Sequence, residues 1–325
     1  MTVPVHFICG MSRAGTQWMA KALNHHPHAV VFGETLYWGR KYRAPESGDV
    51  FSEAELLDAL DWLSRGSTAT LKYHPRVGGK EAAERMRVEA SELVLRMLPR
   101  PAKPEDLFAA YAEALVDMTG AMVAVEKSPH HVLYLDRIVA AMPKARFVIM
   151  FREPYGFMRS YKHQGDRKAP DVKANFDALY HPAVCAMLWR QYARAIEAAK
   201  RNHGDRVLVV DFERIASEPE AVMRDVEAFL TLPSRLAGVE GWRQGENSSF
   251  TDGVVPLEAV DRAWMNAVAG AEIRKLGLAR ENGAPHPVAV AQSMLSLPGW
   301  AWRNVAAMRG NTRGSVVQYL ARWLQ

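Results

Sequence analysis

Gly10-Met11-Ser12-Arg13-Ala14-Gly15-Thr16-Gln17 is the segment that most restricts what this chain can fold into. It follows a short apolar run, Val3 to Cys9, broken by His6, and precedes Trp18, Met19, Ala22 and Leu23 at helical spacing. That order reads as strand, tight loop, helix. The two glycines have the separation of the G-x-x-x-x-G-K-[ST] loop, but Thr16 and Gln17 stand where the lysine and the magnesium-binding hydroxyl belong. What survives is a glycine turn that lets consecutive N–H groups and a helix N-terminus face an anion. Arg13 can supply the missing positive charge and Thr16 a hydroxyl donor, which suits an anionic ligand held without an essential metal. A glycine turn between strand and helix can also serve with no ligand, so the loop alone leaves both readings open.

The remaining pattern decides the fold class. Ala29 to Phe32, Met122 to Val125, Arg146 to Phe151 and Val207 to Val210 read as strands, and helical spacing runs through Val132 to Met142, Ala183 to Arg201, Glu218 to Leu230 and Ala259 to Leu276. Strands alternating with helices predict an α/β domain with a central parallel sheet. Residues 40–106 are charged and helix-rich, with Ser52 and Glu55 as a capping box, and read as a helical insertion on the acceptor side of the site. We therefore expect a single α/β domain over 1–280 and a basic, aromatic, helical extension over 281–325. That extension has no acidic residue after Glu281, and Arg303, Arg309, Arg313 and Arg322 alternate with Trp300, Trp302, Tyr319 and Trp323.

In open α/β sheets ligands gather beyond the carboxyl ends of the strands. Gly33-Glu34-Thr35 lies just past the second strand, Lys127 and Ser128 end the third within EKSPHH, and Arg152 ends the fourth within RFVIMFREP. Ser160 follows in the helix after Pro154, so guanidinium and hydroxyl can converge on one phosphate. With these residues the sequence resembles the sulfotransferase superfamily that uses 3′-phosphoadenosine 5′-phosphosulfate, especially its Golgi-type and bacterial branches, with tyrosylprotein and carbohydrate sulfotransferases among them. The resemblance runs from about Val5 to Leu276 and includes the later stretch VLVVDFERIASEPEAVMRDVEAFLTLP.

The resemblance implies a P-loop-like fold with helical insertions and a specific division of labour. Arg13, Ala14, Gly15, Thr16, Gln17 and Trp18 would cradle the 5′-phosphosulfate, Lys127 would contact it, and Arg152 and Ser160 would bind the 3′-phosphate. A late loop carrying Ser248 and Ser249 would supply further donors, although a plain surface loop fits those residues equally well. Gln17 departs from the second threonine common in the family's loop, and Ala14 replaces a frequent serine or glycine. The product would be adenosine 3′,5′-bisphosphate, and no metal is required.

Sulfuryl transfer needs in-line attack, a stabilised leaving oxygen and a base for the acceptor proton. Arg13 and Lys127 are the candidates for charge stabilisation, and the resemblance points to Glu34 as the base. A salt bridge to Arg13 or a helix cap is the plainer role for Glu34, and partial burial is what its catalytic role would call for. His130 and His131 are rival bases with an alternative in packing or capping. His25, His26 and His28 sit at a helix end without a matching ligand set, so no metal site is read there.

The acceptor is open among a glycan, a lipid head group, a small metabolite and a peptide tyrosine. A formal charge of +5, from 41 basic and 36 acidic residues, is too mild an excess to indicate nucleic acid. Cys9 and Cys185 are too few for a disulfide framework. With no basic leader and no long apolar run, a cytoplasmic protein is expected. The arginine-rich tail reads either as a packing helix with solvated charges or as a peripheral contact with an anionic membrane surface. A nucleotide kinase or a non-catalytic nucleotide-binding protein of the same fold are the competing classes.

Overall fold

The computed structural model describes residues 3–39, 49–166, 168–236 and 256–308, the last four without their side chains. In chain order its elements are β1 (Val5–Gly10), α1 (Thr16–Asn24), β2 (Ala29–Phe32), α2 (Glu53–Leu71), α3 (Lys80–Met97), α4 (Pro104–Thr119), β3 (Val123–Lys127) and α5 (Leu135–Ala141). They continue with β4 (Phe147–Phe151), α6 (Pro154–Lys162), α7 (Pro170–Leu179), α8 (Pro182–His203), β5 (Val207–Asp211), α9 (Phe212–Ser217), α10 (Pro219–Phe229), α11 (Ala259–Lys275) and α12 (Pro287–Met308). Two compact units separate, one formed by Met1–Phe151 with Ala198–Trp242 and the other by Arg152–Glu197 with Arg243–Gln325.

All five strands lie in the first unit, in one parallel sheet of order β2-β3-β1-β4-β5. The strands are apolar runs rather than alternating ones because helices cover both faces of such a sheet; β1, β2 and β3 are buried at every position. Register fixes the site's edge. Ile8 pairs with Lys127, Phe32 with Glu126 and Gly10 with Met150, so the ends of β1, β2, β3 and β4 open on one side. From β1 the chain leaves toward β2 and from β4 toward β5, which makes this edge a topological switch point.

Phe108 on α4 is the hub of the aromatic core. Its ring lies 5.7 Å from Phe7, 5.8 Å from Phe32, 5.4 Å from Tyr37 and 5.5 Å from Trp38, and all five side chains are buried. The Ser52–Glu55 capping box is present at the start of α2, where serine takes a backbone N–H that the helix itself leaves unpaired. Both cysteines are free and buried, and burial pushes both thiols up, so they stay neutral.

Several elements differ from expectation at their ends. The helix expected over Val132 to Met142 opens as a 3-10 turn, Pro129–Tyr134, which buries His131, before α5. The stretch VLVVDFERIASEPEA divides into β5, α9 and α10, with Pro219 opening the last. α7, unsignalled in the sequence, has no buried residue, which is why no apolar periodicity marked it.

The second unit is helical. Lys162 ties α6 to α11 through Asp261 (2.7 Å) and Glu258 (3.0 Å), and the Tyr180 hydroxyl also donates to Asp261 (2.8 Å). Among the described residues no helix is long and apolar enough to cross a membrane. Truncating the core hub, Phe108→Ala, is expected to cost about 3–5 kcal/mol of stability in urea denaturation; a loss under about 1 kcal/mol would show that the aromatic cluster repacks around the gap.

Candidate active site

The loop after β1 is shaped by close backbone approach. Gly10 has φ 116°, and a Cβ there would run into the main chain of Met150 in β4. The Met11 N–H then donates to the Met150 carbonyl (2.8 Å), so the loop hangs from β4 as well as β1. Arg13 is left-handed at φ 68°, an uncommon conformation for a residue with a side chain, and Gly15 caps α1 at φ 84°. α1 carries no side-chain cap and no acidic residue in its first turn, so its positive end is not neutralised from within the helix. Ala14 and Thr16 are buried, Trp18 packs into the core, and Gln17 is half-buried.

Lys127 ends β3, one strand spacing from β1, which places it about 5 Å in the hydrogen-bonding direction from the strand that feeds the loop. Its side chain is almost fully buried (4% exposed), and its Nζ donates to Glu34 Oε1 at 2.7 Å. Glu34 thus pairs with Lys127, where the sequence suggested Arg13. Nor is Glu34 itself buried: 44% of its side chain is exposed, so it faces outward from the sheet edge. The peptide joining Gly33 to Glu34 is cis.

Beneath this pair lies a buried carboxylate that sequence reasoning passed over. Glu126, adjacent to Lys127, is fully enclosed. Its Oε1 accepts from the Thr35 N–H (3.0 Å), the Thr35 hydroxyl (2.8 Å) and the Ser128 hydroxyl (2.7 Å). Its Oε2 lies 2.9 Å from His131 Nδ1, a close electrostatic contact rather than an aligned hydrogen bond. Burial pushes the Glu126 carboxyl up, but the His131 ring and the donors from Ser128 and Thr35 outweigh it and hold the group below the ordinary glutamate range. Ser128 also receives the Leu36 N–H (3.0 Å), and His131 Nε2 the Trp38 N–H (3.4 Å).

α2 closes the same segment from its other side. Thr70 donates to the Gly33 carbonyl (2.7 Å), Trp62 to the Thr35 carbonyl (2.8 Å), and the Gly33 N–H to the Ser67 carbonyl (3.2 Å). The sequence signal was available: an acidic residue inside an otherwise apolar strand must find partners. Of the rival histidines, His131 is enclosed with Glu126, whereas half-buried His130 brings Nε2 to 3.5 Å from the Ser12 hydroxyl of the loop. His26 is occupied structurally, accepting the His28 N–H (3.1 Å) and reaching the Pro233 carbonyl (2.8 Å).

In the second unit, Glu153 caps α6 by accepting from the Tyr155 (2.8 Å) and Gly156 N–H groups. Arg152, half-buried, has its carbonyl held by Trp189 Nε1 (3.0 Å), and its Nε lies 3.2 Å from where a Gly156 Cβ would stand. Gly156 and Ser160 share a face of α6 by their spacing of four. Ser160 is buried and sits in the last turn of α6, not near its start. Ser248 and Ser249 lie outside the described residues.

A five-stranded parallel sheet with a glycine loop after its central strand, a helix without a side-chain cap behind that loop and a buried lysine on the neighbouring strand define an α/β protein of the P-loop-like kind. The profile of the Sulfotransferase family matches residues 4–235, and the chain belongs to that family. No curated protein matches the chain by sequence. Among solved structures, it is similar to a sulfotransferase from Mycobacterium avium (12% identity, TM-score 0.47, covering 87% of this chain and 79% of that one). It is also similar to a sulfotransferase from Alicyclobacillus acidocaldarius (18%, 0.45, 85% and 95%) and to the sulfotransferase domain of the Synechococcus PCC 7002 olefin synthase (18%, 0.44, 71% and 74%).

Replacing the buried carboxylate, Glu126→Gln, is expected to cost about 3 kcal/mol because it leaves a hydrogen-bonded and electrostatic set partly unpaired. Since the folded carboxyl titrates below its ordinary value near 4.5, the wild-type advantage should be full above that range. It should vanish as pH falls through the lowered value, as urea titrations across pH would show. Equal stability of the two proteins at neutral pH would contradict the role given to Glu126.

Proposed function

We propose that this sulfotransferase takes its sulfuryl group from 3′-phosphoadenosine 5′-phosphosulfate and passes it to an acceptor hydroxyl or amine, with Glu34 as the base. The observation that carries this reading is the Glu34–Lys127 pair at 2.7 Å, a half-exposed carboxylate and a buried ammonium side by side at the sheet edge next to the anion loop. The donor fits the groups present: backbone N–H groups at an uncapped helix end, a lysine beside them, and no loop lysine or hydroxyl of the magnesium-nucleotide kind.

When bound, the donor supplies a sulfuryl group on a bridging oxygen that becomes a phosphate leaving group. The loop N–H groups, Arg13 and Thr16 would hold the 5′ end, and Lys127 would supply positive charge to the leaving phosphate. Arg152 and Ser160 are assigned the 3′-phosphate, which distinguishes this donor from a simple nucleotide. Glu34 accepts the acceptor's proton. Its ion pair with Lys127 orients the carboxylate toward the open side while the lysine remains within reach of the loop. Acceptor choice is assigned to the helices of the insertion, because α2 packs directly on the Gly33–Thr35 segment that carries the base.

Calorimetric titration with adenosine 3′,5′-bisphosphate, beside magnesium-ATP, tests the donor. The bisphosphate should bind and magnesium-ATP should not compete, and Arg152→Ala should weaken bisphosphate binding about 10–100-fold through lost charged hydrogen bonds. Preference for magnesium-ATP would overturn the reading in favour of a kinase-like enzyme. Glu34→Gln should slow transfer by about 100-fold or more while leaving bisphosphate affinity nearly intact; collapse of binding in that variant would reassign Glu34 from base to donor-site scaffold.

A further inference from the structure

α12 packs one side against its own unit and shows water an apolar stripe on another. The side facing its own unit carries polar anchors: Ser293 accepts from Trp264 Nε1 (2.9 Å), and Asn304, buried, donates to the Ala178 carbonyl (3.4 Å). Trp300 on the same side donates to the Leu179 carbonyl of α7 (3.1 Å). The outward side carries an apolar stripe beside the exposed Gln292, Ser296 and Arg303. Val288, Ala291, Leu295, Pro298 and Trp302 recur at alternating steps of three and four and are all exposed, Leu295 at 80% and Trp302 at 73%. The stripe spans about 21 Å along the helix axis. A surface helix ordinarily shows water its polar side, and an apolar stripe of this length signals a surface meant to be covered.

Charge says what covers it. From Asn282 onward the sequence contains no acidic residue, and Arg303, Arg309, Arg313 and Arg322 are its only formal charges. Arg303 is exposed on α12 one residue after Trp302. An exposed apolar stripe with tryptophan and leucine, joined to a purely cationic stretch, matches the interface of an anionic bilayer, where apolar side chains enter the acyl boundary and arginines meet lipid phosphates. A self-associating helix pair would more naturally carry mixed charges along its seam.

We infer that α12 docks this enzyme peripherally on an anionic membrane surface, with Leu295 and Trp302 inserted and Arg303 paired with lipid head groups. The contact is interfacial, since α12 does not meet the length and hydropathy of a spanning helix. It is independent of the donor assignment and would stand with a different donor.

The test is co-sedimentation of the full chain with vesicles of phosphatidylcholine, with and without phosphatidylglycerol, at low and high salt. The comparison is Leu295→Ser combined with Trp302→Ser, with bisphosphate binding as the check that both proteins are folded. The wild type should sediment with the phosphatidylglycerol vesicles at low salt and be partly released at high salt. The double variant should partition about tenfold or more less well, because two inserted side chains have been removed. Wild-type protein remaining in the supernatant with both vesicles, or a variant that partitions as the wild type does, would overturn the proposal. So would equal binding to both vesicle compositions, which removes the anionic requirement. Concentration-dependent self-association of vesicle-free wild type, lost in the double variant, would replace the bilayer with a second copy as the occupant.

Discussion

The site depends on one buried carboxylate. Glu126 stands in β3 with no access to water, and such a group is tolerable only if its charge is met on every side. Thr35 and Ser128 meet one oxygen and His131 approaches the other. Because Thr35 belongs to the segment that follows β2, the cost of burying Glu126 is offset only when that segment is drawn onto the end of β3. Glu34 is thereby fixed one residue before Thr35, and Lys127 one residue after Glu126. The pairing at 2.7 Å between them follows from two neighbours being held in place.

The same logic explains the glycine loop. Parallel strands bring their carboxyl ends to one edge, but an anion can approach backbone N–H groups only if no side chain intervenes. Gly10, lacking a Cβ, lets the start of the loop lie against the Met150 main chain, and the N–H bond from Met11 to Met150 ties it there. The loop and the Glu34–Lys127 pair are thus supported separately, one by β4 and the other by Glu126 and α2. This division lets cation and carboxylate remain adjacent while the loop keeps its own geometry.

How much of this was legible in the sequence follows from which forces leave a local trace. The strands and the glycine loop were visible because full burial writes continuous apolar runs and tight turns write glycine. Lys127, Arg152 and Glu34 could be named because each ends a strand on a known edge. The partner of Glu34 could not be read, since pairing across 93 positions depends on sheet order, and that order, β2-β3-β1, was not encoded locally. Thr70 acts through a contact 37 positions away, so spacing gave it no mark, whereas Glu126 left a trace as the acidic residue of an apolar strand and its partner His131 stood among the rival bases. α7 escaped because a helix with no buried residue has no periodicity to show. The tail's two readings, packing helix or membrane contact, stayed open because composition does not say which face of α12 meets water.

The central claim is that Lys127 serves the donor's phosphosulfate and not only Glu34. The most direct measurement is the affinity for 3′-phosphoadenosine 5′-phosphosulfate of Lys127→Met against wild type, with thermal stability followed in parallel. The account predicts binding weakened about 10–100-fold through loss of a charged hydrogen bond, with the folded state retained. Unchanged affinity in a folded Lys127→Met protein would contradict it and reduce the lysine to a structural partner of Glu34.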